Sequence, residues 1–210
     1  MKDVEFPIPI EKNRIDALAY YALCMISYKN EQDDYRHIRK KEFVKTKWLE
    51  KIVSIQDKDK IKMNGGKVYT MDKLRTALKG LEKNGYVKYD EEKECYKIYK
   101  GKSYTSVSTN LYEYFVNTGN KDVLMVYAIV KNYHVGGTFY INGVLTQMGL
   151  THGGTNYNKV RNILTRLNND GLIEIEEHIK YNQYKSEVSM FKIKAINKEV
   201  RDSIKKIKHI

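Results

Sequence analysis

One pattern of residues occurs twice in this chain. Residues 72–90 are DKLRTALKGLEKNGYVKYD and residues 158–176 are NKVRNILTRLNNDGLIEIE. In both copies apolar residues recur at helical spacing, a glycine follows (Gly85 or Gly171), and an extended run comes next. Apolar residues three and four positions apart predict the buried face of a helix, and glycine favours the left-handed conformation that ends many helices. Each copy therefore predicts a helix, a glycine cap and a strand.

The charge of the chain indicates a polyanionic partner. The 210 residues include 38 Lys and Arg against 26 Asp and Glu, which gives a net charge of +12 at pH 7. Both halves share the excess, since residues 1–104 hold 24 basic and 17 acidic residues and the remainder holds 14 and 9. A basic surface attracts nucleic acid, and we expect double-stranded DNA. The alternative is a lysine-rich surface that only keeps the protein in solution.

The sequence predicts neither a membrane protein nor a secreted one. No apolar stretch reaches the roughly 18 residues of a membrane span, and the first residues lack the apolar core of a signal peptide. The two cysteines, Cys24 and Cys95, do not suggest a disulfide framework. We therefore expect a cytoplasmic protein with no membrane partner.

Little in the sequence points to catalysis. The run Gly65-Gly66-Lys67 lacks the spacing and the following Ser or Thr of a phosphate-binding loop, and no G-x-S-x-G motif is present. The five histidines do not occur at metal-ligand spacing. We expect no enzyme activity, no catalytic residue, no cofactor and no metal site, although a nucleic-acid enzyme stays open as a third reading.

Periodicity and turn residues predict the order of the elements along the chain. The polar segment at 30–41 is expected to be a loop or a short helix, and the charged segment at 56–66 is expected to be a loop. Thr70, Asn142 and Thr155 are expected to cap the helices that follow them. Helices are predicted at 14–28, 42–55, 71–83, 121–134, 143–148, 156–169 and 197–208. Extended segments or strands are predicted at 4–10, 67–69, 86–89, 95–99, 104–107, 138–141, 172–178 and 187–194, with a hairpin tip at 179–186.

Helix, short strand, helix, turn, helix and hairpin is the order of a winged helix-turn-helix domain. The second half resembles the DNA-binding proteins of this kind from bacteria, plasmids and phages, and the first half resembles a divergent copy. The turn before the third helix is longer here than in the common pattern. The residues that carry the resemblance are Val126-Tyr127-Ala128-Ile129, Tyr140-Ile141-Asn142-Gly143, Met148-Gly149-Leu150, the apolar positions of 160–167, Gly171-Leu172-Ile173 and the hairpin.

This resemblance implies an α+β fold of two tandem winged helix-turn-helix domains, each with three helices and a small antiparallel β-hairpin wing. The implied divisions are a divergent domain at 1–103, a second domain at 104–195 and an amphipathic C-terminal helix at 196–210. That last helix is a candidate surface for self-association, so a homodimer is a candidate assembly. Tandem winged helices also resemble the replication initiators of mobile elements.

The second repeat helix is the predicted reader of DNA bases. If its apolar residues face the core, a rotation of about 100° per residue puts Asn158, Asn162, Thr165 and Asn169 opposite them. Asn can bond an adenine edge in two places, and Arg can do so with guanine. The alternative is an ordinary solvated helix face. The DNA-binding residues predicted in this half are Asn156, Asn158, Lys159, Arg161, Asn162, Thr165, Arg166, Lys180, Tyr184 and Lys185.

In the first half we expect contacts with phosphate more than with bases. The first hairpin tip, with Asp90, Glu91, Glu92 and Glu94, would be repelled by DNA. The first domain is therefore expected to contact DNA through its repeat helix or through a basic run that precedes this helix. The alternative interpretation of the basic run is an ordinary exposed helix end. The predicted helix contacts are Thr70, Lys73, Thr76 and Lys79. The basic run consists of Arg36, His37, Arg39, Lys40, Lys41, Lys45 and Lys47.

The expected function is sequence-specific binding of double-stranded DNA, in transcription regulation or replication-origin recognition on a plasmid or phage. A protein–protein interaction module is the alternative, because many winged helices bind proteins and the first wing is acidic. The 18 tyrosines could stack on bases, but packing in the core is their default role.

Overall fold

The computed structural model describes residues 3–8, 16–29, 36–39, 56–63, 67–99, 104–181, 183–184 and 187–197. Over these residues the chain is a mixed α+β structure with small antiparallel sheets, which confirms the expected class. The helices predicted at 42–55 and 197–208 lie outside the described residues.

The first half forms a four-stranded antiparallel sheet and three helices among its described residues. The predicted hairpin forms one side of this sheet, and two earlier strands extend it beyond the second hairpin strand, in the order β2 (Tyr28–Lys29), β3 (Arg36–Arg39), β5 (Cys95–Ile98) and β4 (Val87–Asp90). The elements are β1 (Val4–Pro7), α1 (Ala17–Ile26), β2 (Tyr28–Lys29), β3 (Arg36–Arg39), α2 (Lys58–Met63), α3 (Met71–Lys83), β4 (Val87–Asp90) and β5 (Cys95–Ile98).

The second half builds a three-stranded sheet from a short strand and a long hairpin, in the order β7-β9-β8. Phe139 pairs with Phe191 across β7 and β9, and the two rings stack with centroids 5.5 Å apart. The elements are β6 (Tyr104–Val107), a 3₁₀ turn (Thr109–Leu111), α4 (Tyr112–Asn117), α5 (Lys121–Asn132), β7 (Thr138–Tyr140), α6 (Ile141–Gln147), α7 (Gly154–Asn169), β8 (Ile173–Tyr181) and β9 (Glu187–Ile196).

Both repeat helices end in the same way. Gly85 follows α3 with φ +76° and Gly171 follows α7 with φ +72°. The next amide then donates to a carbonyl five residues back, from Tyr86 to Leu81 and from Leu172 to Leu167, each at 2.9 Å. This bond satisfies a carbonyl that the helix end leaves without a partner. The glycine caps predicted from the repeat are confirmed, and so is Thr70 as the N-cap of α3, whose hydroxyl accepts from the Lys73 amide at 3.3 Å.

The two halves share one apolar core. Helix α1 is apolar along its whole length and packs against α3 of its own half and α5 of the other. Strand β1 pairs with β6, from Val4 opposite Val107 to Pro7 opposite Tyr104. Buried side chains from both halves belong to a single cluster. The division into domains at 103 and 104 remains a prediction.

Three local predictions in the first half are wrong. Residues 67–69 are not a strand, because the Gln56 side chain accepts from the Tyr69 amide at 2.6 Å and donates to its carbonyl at 2.9 Å. The predicted loop at 56–66 contains α2, and the predicted loop or short helix at 30–41 contains β3, which pairs with β5.

Two helix caps in the second half are also wrong. Helix α6 begins at Ile141 and α7 at Gly154, so Asn142 and Thr155 lie inside the helices and do not cap them. The N-caps are Tyr140 and Gly153, and neither makes a side-chain cap bond. Strand β7 ends at Tyr140 and the chain enters α6 without an intervening loop, which leaves no position for a cap at Asn142.

The remaining differences are in element lengths. The fifth helix ends at Asn132, before the predicted end at 134, because His134 has φ +62° and the Gly136 amide donates to the Ile193 carbonyl of β9 at 2.8 Å. The second hairpin is longer than predicted, since β8 reaches Tyr181 and β9 reaches Ile196. Helix α4 was not predicted.

Gly85 and Gly80 offer a matched test of the helix cap, because added Cβ atoms at both would meet nothing within 4 Å. Gly85→Ala should lower the free energy of unfolding by about 1–2 kcal/mol, since alanine is strained at positive φ. Gly80→Ala, in the interior of α3, should raise it by about 0.5–1 kcal/mol. Urea denaturation followed by circular dichroism measures both; equal effects of the two substitutions would contradict the cap assignment.

Candidate nucleic-acid interface

Helix α7 has one buried face and one polar face, as the periodicity predicts. Its side chains Val160, Ile163, Leu164 and Leu167 are buried. Opposite them, Asn158, Asn162, Thr165 and Asn169 are exposed. Within the described residues, the side-chain amides of Asn158 and Asn162 have no hydrogen-bond partner. The helix therefore presents amide groups whose donors and acceptors are available to a ligand.

Arg161 lies at the edge of this polar face and is held by the second hairpin. Its Nη2 donates to both carboxylate oxygens of Glu177 on β8, at 2.8 and 2.7 Å. Hydrogen bonds from Ser189 and Arg161 lower the pKa of Glu177, and the bond to Glu177 raises the pKa of Arg161. Arg161 is one of the DNA contacts predicted from the sequence, whereas no sequence pattern indicated Glu177 as its partner, because Glu177 comes 16 residues later.

Two other predicted contact residues hold α7 in place. Lys159 forms an ion pair with Asp122 at the start of α5. Arg166 lies 3.5 Å from Asp170, whose carboxylate also accepts from the Tyr114 hydroxyl. These bonds connect α7 to the preceding helices, so the two cations are partly neutralised within the protein.

The turn that precedes α7 has its own internal bonds. The Asn156 amide donates to the Thr151 carbonyl and to its hydroxyl, both at 3.0 Å. The His152 Nε2 lies 2.8 Å from the Thr146 hydroxyl of α6. The long turn expected from the sequence is thus a bonded connection, and Asn156 contributes to it directly.

The second hairpin places exposed side chains near its tip. Lys180 and Tyr184 are exposed, as predicted, and Lys185 lies outside the described residues. Closer to the core the strand is acidic: Glu176 forms an ion pair with Lys194 of β9 and lies 3.5 Å from His178. Hydrogen bonding to Lys194 lowers the pKa of Glu176.

The predicted contacts on α3 are exposed, but several have partners within the first turn. Lys73 Nζ donates to the Val68 carbonyl at 3.2 Å, and the Thr76 hydroxyl donates to the Asp72 carbonyl at 2.9 Å. The Thr70 hydroxyl is the helix cap. Lys79 is exposed farther along the helix.

A cleft of about 800 Å³ brings the start of α3 close to the starts of α5 and α7. Lys73 and Lys159, which occupy the same position in the two repeats, both line it. Four lysines and three aspartates face the cleft, so its charge is mixed. Asp16, one of the three, caps α1 by accepting from Ala19 at 3.1 Å and lies 3.8 Å from Lys121; burial raises its pKa.

The basic run before α3 differs from the expectation. Arg36, His37 and Arg39 lie on β3, not at a helix end. Arg36 donates to the Ser27 hydroxyl at 2.6 Å and to the Cys24 carbonyl at 3.1 Å. His37 is 1% exposed, with Nδ1 3.2 Å from Cys95 Sγ. Only Arg39 of these three is exposed. The other residues of the run, Lys40, Lys41, Lys45 and Lys47, lie outside the described residues.

Two further absences hold for the described part of the chain. No cluster of three or more His, Cys, Asp or Glu in it could hold a metal ion. None of its helices combines the length and the apolar character needed to cross a bilayer. Comparisons of the whole sequence and structure with protein-family models, curated proteins and solved structures found no significant match.

Thr70 and Thr76 are both exposed on α3, and the structure separates their roles. Thr70→Ala should lower the free energy of unfolding by about 1 kcal/mol, because it removes the N-cap acceptor. Thr76→Ala should leave stability unchanged or slightly higher, since alanine is the better residue in a helix interior. Thermal or urea unfolding compares the two variants. An equal loss for both would show that Thr70 does not act as a cap.

Proposed function

We propose that the chain is a sequence-specific double-stranded DNA-binding protein built from two tandem winged helix-turn-helix domains. The row of exposed side chains on α7, with Asn158 and Asn162 unbonded within the described residues, carries the proposal. Amide side chains suit the donor and acceptor pattern of adenine in the major groove. A helix held by a buried apolar face can present them in a fixed orientation.

The order of elements in the second half supports this domain type. Helix α5, strand β7, helices α6 and α7, and the β8–β9 hairpin follow one another, and β7 joins the sheet through β9. Helix α7 packs against α5, α6 and β8. In such an arrangement α7 would enter the major groove and the hairpin would lie beside it.

The two halves would then make different kinds of contact with DNA. Helix α7 would read bases, while Lys73 and Lys79 on α3 would contact phosphates, which give affinity but little sequence information. The net charge of +12 favours such contacts. Transcription regulation and replication-origin recognition, on a plasmid or phage, are the two roles that this activity would serve. A homodimer, with the helix predicted at the C-terminus as its contact, would double the length of the recognised site.

A protein–protein interaction module is the second candidate. One observation favours it: the turn of the first hairpin exposes Glu91, Glu92 and Glu94, which would repel DNA. Salt dependence separates the two functions, because DNA binding through several phosphates weakens steeply as salt rises. Binding of random-pool duplexes, followed by selection and sequencing, tests the proposed function directly. A recovered sequence motif supports it, and the absence of any duplex binding contradicts it.

Asn162 is the residue we expect to contribute most to discrimination. Asn162→Ala should reduce the difference in binding free energy between the selected site and a random duplex by about 1–3 kcal/mol, if the amide contacts one base in two places. Fluorescence anisotropy with both duplexes measures it. Asn132→Ala, which removes an exposed amide from the end of α5, is the control. An equal loss of affinity on both duplexes would contradict base reading by Asn162.

Lys180 should contribute through phosphate. Lys180→Ala should weaken specific and random duplexes alike and lower the slope of log K against log salt by about 0.9, the effect of one lost phosphate contact. Titrations at several salt concentrations give the slope. Lys194→Ala is the control, because Lys194 is already paired with Glu176. An unchanged slope for Lys180→Ala would remove the hairpin from the interface.

A further inference from the structure

The second hairpin is longer than the core requires. Its first strand has nine residues and its second has ten, against four in each strand of the first hairpin. Burial ends early in it: Ile173 is buried, Ile175 is half-buried, and the residues of β8 beyond them are mostly exposed. The third strand, β7, covers β9 only from Met190 to Lys192. The last three residue pairs of the hairpin therefore form a two-stranded projection.

This projection carries apolar side chains where polar ones would be expected. Ile179 is 62% exposed, Tyr181 69% and Tyr184 78%. The first hairpin, the equivalent element of the other half, has an acidic turn at this place. The Tyr181 hydroxyl donates to the Glu187 carboxylate across the two strands at 3.3 Å. A two-stranded ribbon gains little stability from side chains that remain in water, so burial does not account for the apolar character of these three positions. We call Ile179, Tyr181 and Tyr184 the tip patch.

Two residues of the tip patch, Ile179 and Tyr181, are on the same side of the hairpin as the proposed reading helix. Side chains alternate between the two faces of a strand, so Glu177, Ile179 and Tyr181 share one face. Glu177 binds Arg161 of α7, which identifies that face as the one toward the helix. Tyr181 lies four residues beyond Glu177, about 13 Å along the strand. This is the length of about four base-pair steps, so the patch would meet DNA next to the segment that α7 contacts.

We propose that the tip patch binds unpaired or unstacked bases of DNA, by stacking the two tyrosine rings on base faces with Ile179 as an apolar wedge. The proposal rests on the proposed DNA-binding function. Isoleucine cannot hydrogen-bond a phosphate or a base edge, and a base face becomes accessible only when the neighbouring step opens. Aromatic side chains stack on any base without sequence preference. Lys180 follows Ile179 in the sequence, so its side chain is on the opposite face of the strand, where it adds positive charge to the same projection.

The test compares two labelled duplexes of one sequence, one fully paired and one with four central mismatched pairs, by fluorescence anisotropy. The unaltered chain should bind the mismatched duplex about 5- to 20-fold more tightly, near the lower end of what stacking on a base contributes. Tyr181→Leu combined with Tyr184→Leu should remove this preference, so that the double variant binds the mismatched and the paired duplex with equal affinity. Tyr104→Leu, at an exposed tyrosine of β6, should keep the preference.

Stacking itself has a direct readout. A 2-aminopurine placed among the mismatched bases should lose fluorescence when the chain binds, and should not do so with the double variant. Replacing both tyrosines by tryptophan should restore the preference and the quenching, which guards against a loss of folding in the leucine variant.

The outcomes separate this inference from the function on which it rests. Equal affinity of the unaltered chain for both duplexes, with normal salt-sensitive binding, overturns the tip patch and leaves duplex recognition intact. The proposal is also overturned if the double leucine variant still prefers the mismatched duplex, whether or not its oligomeric state has changed. Binding of mismatched or single-stranded DNA without any binding of paired duplex contradicts the proposed function and retains the stacking site.

Discussion

The backbone reversal at Gly85 and Gly171 determines where each repeat helix lies against its hairpin. In both places a positive φ lets the next amide bond a carbonyl five residues back, from Tyr86 to Leu81 and from Leu172 to Leu167. The chain then returns along the helix that it has just left, and in the second half the Asn168 side chain accepts from the Ile175 amide at 3.1 Å. Since this geometry sets the register of β8 against α7, it also brings Glu177 to Arg161. The polar face of α7 is directed outward because the opposite face is fixed in the core.

The parts of the structure that the sequence predicted correctly depend on local patterns. The faces of α7 follow from apolar spacing, and the two helix ends follow from glycine. Several of the errors occur where a distant group supplies a bond. Tyr69 is not in a strand because Gln56, 13 residues earlier, bonds both of its backbone groups. His37 is basic in the sequence but is buried beside Cys95, 58 residues away. A local sequence pattern cannot reveal partners that lie so far apart in the chain. Asp122, the ion-pair partner of Lys159, could not be predicted for the same reason.

These distant partners also change how the candidate interface must be understood. Lys159, Arg161 and Arg166 are bonded to carboxylates, so their charge is partly compensated before any ligand binds. Exposed ion pairs contribute little to stability, typically about 0–1 kcal/mol, and a phosphate or a guanine could compete for the same donors at small cost. The unbonded amides of Asn158 and Asn162 face no such competition. Specificity and affinity would therefore come from different residues of one helix: amides for the bases, and cations that exchange one acidic partner for another.

The two hairpins show how far the repeated halves differ. Both copies keep the apolar helix face, the glycine and the first residues of the strand, because burial against the helix requires them. Beyond that point the core places no constraint, and the copies diverge into an acidic turn at Glu91, Glu92 and Glu94 and a longer, apolar tip at Ile179, Tyr181 and Tyr184. An acidic turn on a surface that approaches phosphates is repelled by them. An apolar tip is not repelled, and its only unfavourable effect is the apolar area that it exposes to water in the free protein. If one hairpin lies closer to DNA than the other, the charge of the two hairpin turns selects the second hairpin, and the same half also holds the helix with the uncharged amides.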